Sequence, residues 1–190
     1  MPLPPMQRGT HTIEVSTNIT RRTGAEWCYL LGSFGVRVAG RATTLEPLPD
    51  RLRWGDIAAQ GLPFYAGNLT YRVSVPSGSP NSVRRALQVT DFAAPLLDVS
   101  LDDRPMGSIA WSPYVLELPA RATDVPEKCA ITFYGNRQNA FGPVHNTYRH
   151  LSWYGPPAWR TRGPAWSYEY HLEPTGILAA PVLLEPDRRR

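Results

Sequence analysis

Three indoles crowd one stretch of the chain, Trp153-Tyr-Gly-Pro-Pro-Ala-Trp159 and Trp166. Just upstream lie Asn136, Arg137, Asn139 and His145, in a segment rich in Gly, Pro and Asn. An exposed indole offers a flat apolar face and a single N–H donor. Amides and a neutral imidazole both donate and accept hydrogen bonds. A ligand with a C–H face and a rim of hydroxyls, such as a sugar ring, suits that combination. The competing role for each ring is to pack a long loop onto a core, and for His145 it is to pin that loop. A second aromatic group, Trp54, Phe64 and Tyr65, surrounds the turn near Gly61.

The sequence supplies no convincing catalytic set. Glycosidic hydrolysis takes two carboxyl groups roughly 5–9 Å apart, one kept protonated. Glu14, Asp98 and Glu117 sit on alternating segments that read as water-facing, and Asp102 and Asp103 lie in a turn. Glu169, on an aromatic segment, is the one acid to watch. Leu31-Gly-Ser-Phe-Gly35 lacks the first glycine of a nucleophile elbow, and no helix follows, which discounts Ser33. His11, His145, His150 and His171 have neither helical i, i+4 pairing nor Cys–His metal spacing. Cys28 and Cys129 fall in apolar runs and read as two buried thiols.

The elements that would hold these residues have an apolar period of mostly two. Strands are expected at Thr12–Ser16, Trp27–Leu31, Phe34–Val38, Leu69–Val75, Arg85–Thr90 and Leu97–Leu101. More follow at Ser108–Trp111, Tyr114–Leu118, Lys128–Tyr134 and Trp166–Leu172, with Ile177–Leu184 closing a sheet. Asp102 to Gly107 reads as a hairpin connection. One short helix is predicted over Ile57–Gln60, capped by Asp56 and stopped by Gly61. Residues 39–53 and 135–165 lack strand pattern and read as loops. A loop as long as the second is usually functional or packed by its own side chains. The expectation is an all-β fold, a two-sheet antiparallel β-sandwich of jelly-roll type.

The 190 residues suit one domain with a substantial core, and the 42% hydrophobic share argues for a folded globule. Residues 1–10 read as a flexible N-terminal segment, 11–184 as the sandwich and 185–190 as a flexible basic tail. The net charge of +4 comes from arginines, nineteen of the twenty basic residues, spread along the chain rather than massed. This argues against a nucleic-acid partner. No run reaches the ~18 apolar residues of a membrane span, so no membrane partner is expected. The start has no apolar signal region, which leaves the location open with a slight lean to the cytoplasm.

An ordered series of motifs carries a resemblance. Leu30-Leu-Gly-Ser-Phe-Gly-Val36, Gly55-Asp-Ile57 and Gln60-Gly-Leu-Pro-Phe-Tyr-Ala-Gly-Asn-Leu-Thr-Tyr71 come first. Asp98-Val-Ser-Leu-Asp-Asp-Arg-Pro-Met-Gly-Ser-Ile-Ala-Trp-Ser-Pro-Tyr114 and Phe141-Gly-Pro-Val-His145 follow. Over roughly residues 11–180 the chain resembles the galactose-binding-like β-sandwich of large bacterial glycoside hydrolases. It is similar to the sugar-binding domain of family 2 glycosidases and to accessory domains of rhamnosidase-like enzymes. Where that family's hairpin carries Asn-Gly, this chain has Asp102 and Asp103, which suggests a different turn with Arg104-Pro105 at its tip. The family's catalytic acids lie in a separate barrel. The resemblance therefore implies a non-catalytic module whose partners are a carbohydrate and a glycoside hydrolase catalytic domain. Its ligand residues are expected to be Asn136, Arg137, Asn139, His145, Trp153 and Trp159. A purely structural sandwich bracing the barrel is the alternative. No cofactor is implied; the resemblance allows a structural calcium, for which this sequence has no run of alternating oxygen ligands.

Overall fold

A computed structural model describes residues 2–7, 9–18, 20–21, 28–75, 85–120, 125–148 and 153–185. The chain forms two units, Met1–Gly32 and Ser33–Arg190. In the first, the described residues form no strand, which corrects the strands expected at Thr12–Ser16 and Trp27–Leu31 (Trp27 itself lies outside the described residues). The alternation is present, but Ile13 and Val15 remain 54% and 64% exposed. A period of two makes a strand only when a neighbouring strand takes up its backbone N–H and C=O groups. Cys28 is exposed as well, so only Cys129 is the buried thiol that was expected.

The second unit is an all-β sandwich. Its strands are β1 (Gly35–Ala39), β2 (Ala42–Glu46), β3 (Leu69–Val75), β4 (Arg85–Gln88), β5 (Phe92–Ala93) and β6 (Leu97–Leu101). They continue with β7 (Arg104–Ile109), β8 (Val115–Leu118), β9 (Glu127–Phe133), β10 (Gly176–Ile177) and β11 (Val182–Leu184). One sheet has the order β3-β9-β6-β7 and another the order β11-β4-β8; β1 pairs with β2, and β10 with β5. Every pairing is antiparallel.

Alternation explains the larger sheet. In β6 the residues Leu97, Val99 and Leu101 are buried while Asp98 and Ser100 are not, and in β9 Cys129, Ile131 and Phe133 point inward. These six join Tyr71, Val75 and Ile109 of the same sheet and Leu87 and Leu118 of the smaller one in a single core, with Ile57 and Ile177. Burial pushes the Cys129 thiol and the Tyr71 phenol above their ordinary ionisation range, so both stay neutral packing groups. Trp54 stacks on Tyr71 at 4.5 Å, which ties one of the sequence-flagged indoles to the core.

Among the described residues, one ion pair joins the sheets. Arg85 on β4 is buried, and its Nη1 and Nη2 engage the two oxygens of Glu127 on β9, the Nη2 contact at 2.8 Å. Its Nε donates to the Pro119 carbonyl at 2.8 Å. The guanidinium is thus held by three bonds across the edge of the sandwich.

The β6–β7 hairpin differs from the expected form. Leu101 pairs with Arg104, so the loop is the two residues Asp102 and Asp103, and Arg104-Pro105 already belong to the strand. Both aspartates have positive φ, 45° and 63°, as a primed two-residue turn demands. The Asp102 carboxylate accepts the Lys128 N–H at 2.9 Å, which fastens the turn to β9. Within residues 39–53 the chain makes β2 rather than a loop, since Val36, Arg37 and Val38 of β1 offer it a paired backbone.

Candidate functional site

The loop after β9 starts at a point of close backbone contact. A Cβ on Gly135 would lie 2.3 Å from the Gly67 carbonyl oxygen, so only glycine passes there. The Gly135 N–H donates to the Asn68 amide oxygen at 3.3 Å. The chain then makes the one-turn helix α1 (Gln138–Phe141). Asn136 starts it, its side-chain oxygen accepting the Gln138 N–H at 2.9 Å.

Asn139 is buried, and its amide brackets the backbone of Glu173: it donates to the carbonyl at 2.8 Å and accepts from the N–H at 2.9 Å. A side chain so engaged braces the loop. Asn139→Ala would strip both bonds and leave buried backbone groups unsatisfied. The expected loss is ~2 kcal/mol of stability, measured by urea denaturation, with Asn139→Asp giving an intermediate value.

His145 is likewise built into the loop. Its ring lies 4.5 Å from Tyr170 and 6.0 Å from Trp166, and Nδ1 is 3.1 Å from the Glu169 carbonyl oxygen. Phe64 extends the ring series beyond Tyr170 at 5.4 Å, and Tyr168 extends it beyond Trp166 at 4.3 Å. The backbone beneath is stitched by Ser167 N–H to His145 O at 2.9 Å, Thr147 N–H to Ala165 O at 3.1 Å and His171 N–H to Val144 O. Trp166–Leu172, expected as a strand, is therefore an irregular segment apart from one bridge between Trp166 and Asn146. Its aromatic alternation serves ring packing instead of a sheet.

The remaining candidates stay at the surface. Trp153 is 75% exposed and Trp159 is 43% exposed. Trp159 ends the 3-10 turn Pro156–Trp159, which is closed by the Ala158 N–H on the Gly155 carbonyl at 2.9 Å. The Trp159 indole N–H donates to the Phe141 carbonyl at 3.0 Å. That bond fastens the Pro156–Trp159 turn to α1. It also brings in Phe141, 47% exposed, which heads the Phe141–His145 motif but is not one of the expected ligand residues. Arg137 is exposed one helical turn before Phe141, the Phe141 N–H bonding to its carbonyl at 2.8 Å. Residues four apart share a face of a helical turn. The result is two indoles, a phenyl ring and a guanidinium carried on one tethered loop.

Glu169 meets the loop through its carbonyl. Asp98 lies on the larger sheet, where it accepts from Ser108 Oγ and from the Tyr134 hydroxyl, the latter at 2.8 Å. That bond holds the Tyr134 phenol above its ordinary range. Among the described residues, no three His, Cys, Asp or Glu side chains are grouped to hold a metal, and no helix is long and apolar enough to cross a membrane.

No protein-family model matches the chain, and no curated protein matches it. Among solved structures, the rhamnosidase from Novosphingobium sp. PP1Y aligns over 90% of this chain at 18% identity, with a TM-score of 0.47. The aligned part is 16% of that enzyme's length.

Proposed function

We propose that the chain is a non-catalytic carbohydrate-recognition module, a galactose-binding-like jelly roll accessory to a glycoside hydrolase. The observation that carries this reading is the exposure of Trp153, Trp159 and Phe141 on one loop, with the Trp159 indole tied to the Phe141 carbonyl. Large exposed rings on a tethered turn lose little conformational freedom when a flat ligand stacks on them. The motif series noted in the sequence supports the same family of modules. Arg137 would supply hydrogen bonds at the edge of the stacked ring, and Asn136, Asn139 and His145 would act by holding the platform.

A shallow site of this kind binds with a dissociation constant on the order of micromolar to millimolar. Trp159→Ala should weaken binding about tenfold or more, roughly 1.4 kcal/mol, with Trp153→Ala acting in the same direction, both read by calorimetric titration against array-selected glycans. A chain that bound no plant or bacterial glycan would refute the proposal.

The bracing alternative draws on Trp111, which is 82% exposed in the turn between β7 and β8, away from the platform residues in sequence. It predicts association of the isolated chain that depends on Trp111 and persists in the Trp153 and Trp159 variants.

A further inference from the structure

Between Glu127 and Glu169 the sequence contains no aspartate or glutamate, while it carries Lys128, Arg137, Arg149, Arg160 and Arg162. The ring platform lies inside this interval. Arg137 precedes Phe141 by one helical turn. Arg160 directly follows Trp159, and its Nε donates to the Pro157 carbonyl at 2.6 Å, which folds its guanidinium back over the 3-10 turn. Arg162 is exposed two residues on. Arg149 lies outside the described residues.

Arg137, Arg160 and Arg162 form no ion pair among the described residues; the pairs found there are Arg37–Glu46 and Arg85–Glu127. Two acids meet this loop through their backbone: Glu173, which holds Asn139, and Glu169, whose carbonyl meets His145. The guanidinium groups around Trp159 and Phe141 thus have positive charge that the loop's own sequence does not offset. A guanidinium presents paired N–H donors that match a carboxylate or sulfate oxygen pair.

We propose that the platform selects anionic saccharides, chains bearing uronate carboxylates or sulfate groups, over their neutral counterparts. The inference rests on the carbohydrate reading above and adds the charge of the ligand to it. The rings stack on the sugar face while Arg137 and Arg160 engage its acidic substituents.

The test uses the full chain on an array of paired oligosaccharides, each neutral backbone printed beside its uronate and its sulfated form, with a single-stranded oligonucleotide as a further anion. Expected is at least tenfold tighter binding to one acidic member of a pair than to its neutral partner at 50 mM NaCl. Screening of exposed charges should shrink that preference several-fold at 500 mM NaCl. The Arg137→Gln/Arg160→Gln variant should lose the preference, its affinity for the acidic partner falling much further than its affinity for the neutral one, and an unchanged melting temperature would show that it is folded. The uronate and sulfate arms tell the two sources of negative charge apart. Equal binding of neutral and acidic partners, or a preference unchanged in the double variant, would overturn the charge selection and leave carbohydrate recognition standing. Failure of every saccharide would overturn both readings, as would tighter binding of the oligonucleotide than of any acidic sugar.

Discussion

Arg85→Met is expected to cost about 3–5 kcal/mol of unfolding free energy. The substitution leaves Glu127, whose side chain is only 17% exposed, without the guanidinium that spans both its oxygens, and it frees the Pro119 carbonyl. Loss of the guanidinium is costlier than a missing attraction, because it removes the two bonds that offset desolvation of this half-buried carboxylate. The double variant Arg85→Met/Glu127→Leu should recover most of the loss, since two apolar side chains of similar volume often replace a buried pair at little net cost. Urea denaturation of the single and double variants at neutral pH measures both effects. A loss below about 1 kcal/mol in Arg85→Met, the size typical of a solvent-exposed pair, would mean that the bridge does not join the sheets.

Phe133→Ala is the second large effect, at about 3–5 kcal/mol. Phe133 is fully buried in β9, its register partners being Leu69 of β3 on one side and Leu97 of β6 on the other. Truncation to alanine removes the ring's transfer energy and leaves a cavity that two flanking strands are poorly placed to fill. Phe133→Leu should lose much less, because most of the volume remains. Against a typical domain stability of 5–15 kcal/mol, the alanine variant should show a markedly lower denaturation midpoint with an unchanged slope. A midpoint equal to that of the unsubstituted chain would contradict the placement of β9 at the centre of the core.

Much of the larger sheet was readable in the sequence because its strands are amphipathic with a period of two. Leu69–Val75 and Leu97–Leu101 have the predicted bounds, and Lys128–Tyr134 falls one residue from the observed strand. The turn over Ala58–Gln60 was readable from its chemistry: the Asp56 carboxylate accepts the Ala58 N–H at 2.9 Å, and Gly61 adopts φ 92°. Ala42–Glu46 escaped because it is an exposed hairpin arm, where no apolar face marks the strand. Thr12–Ser16 and Trp166–Leu172 misled for the opposite reason: alternation was present without a sheet to use it.

The platform was half legible. Trp153 and Trp159 stood out as rings beside proline and glycine, and their exposure is the feature that the proposed function uses. Phe141 did not, since its relation to Arg137 exists only once residues 138–141 coil, and its tie to Trp159 spans 18 residues. The bracing role of Asn139 was not legible either, because its partner, the Glu173 backbone, is 34 residues away. Long-range backbone partners leave no local mark in a sequence.

The sheet order has a bearing on how the chain is made. β3 ends at Val75, whereas β9, its partner in the larger sheet, begins at Glu127. During synthesis a domain emerges from the ribosome N-terminal end first. Tyr71, Val73 and Val75 must therefore wait in water, their strand edge open, until the segment ending in Phe133 arrives to cover them. Nascent chains of this topology are sticky during that interval, and a chaperone that masks β3 would be most useful then.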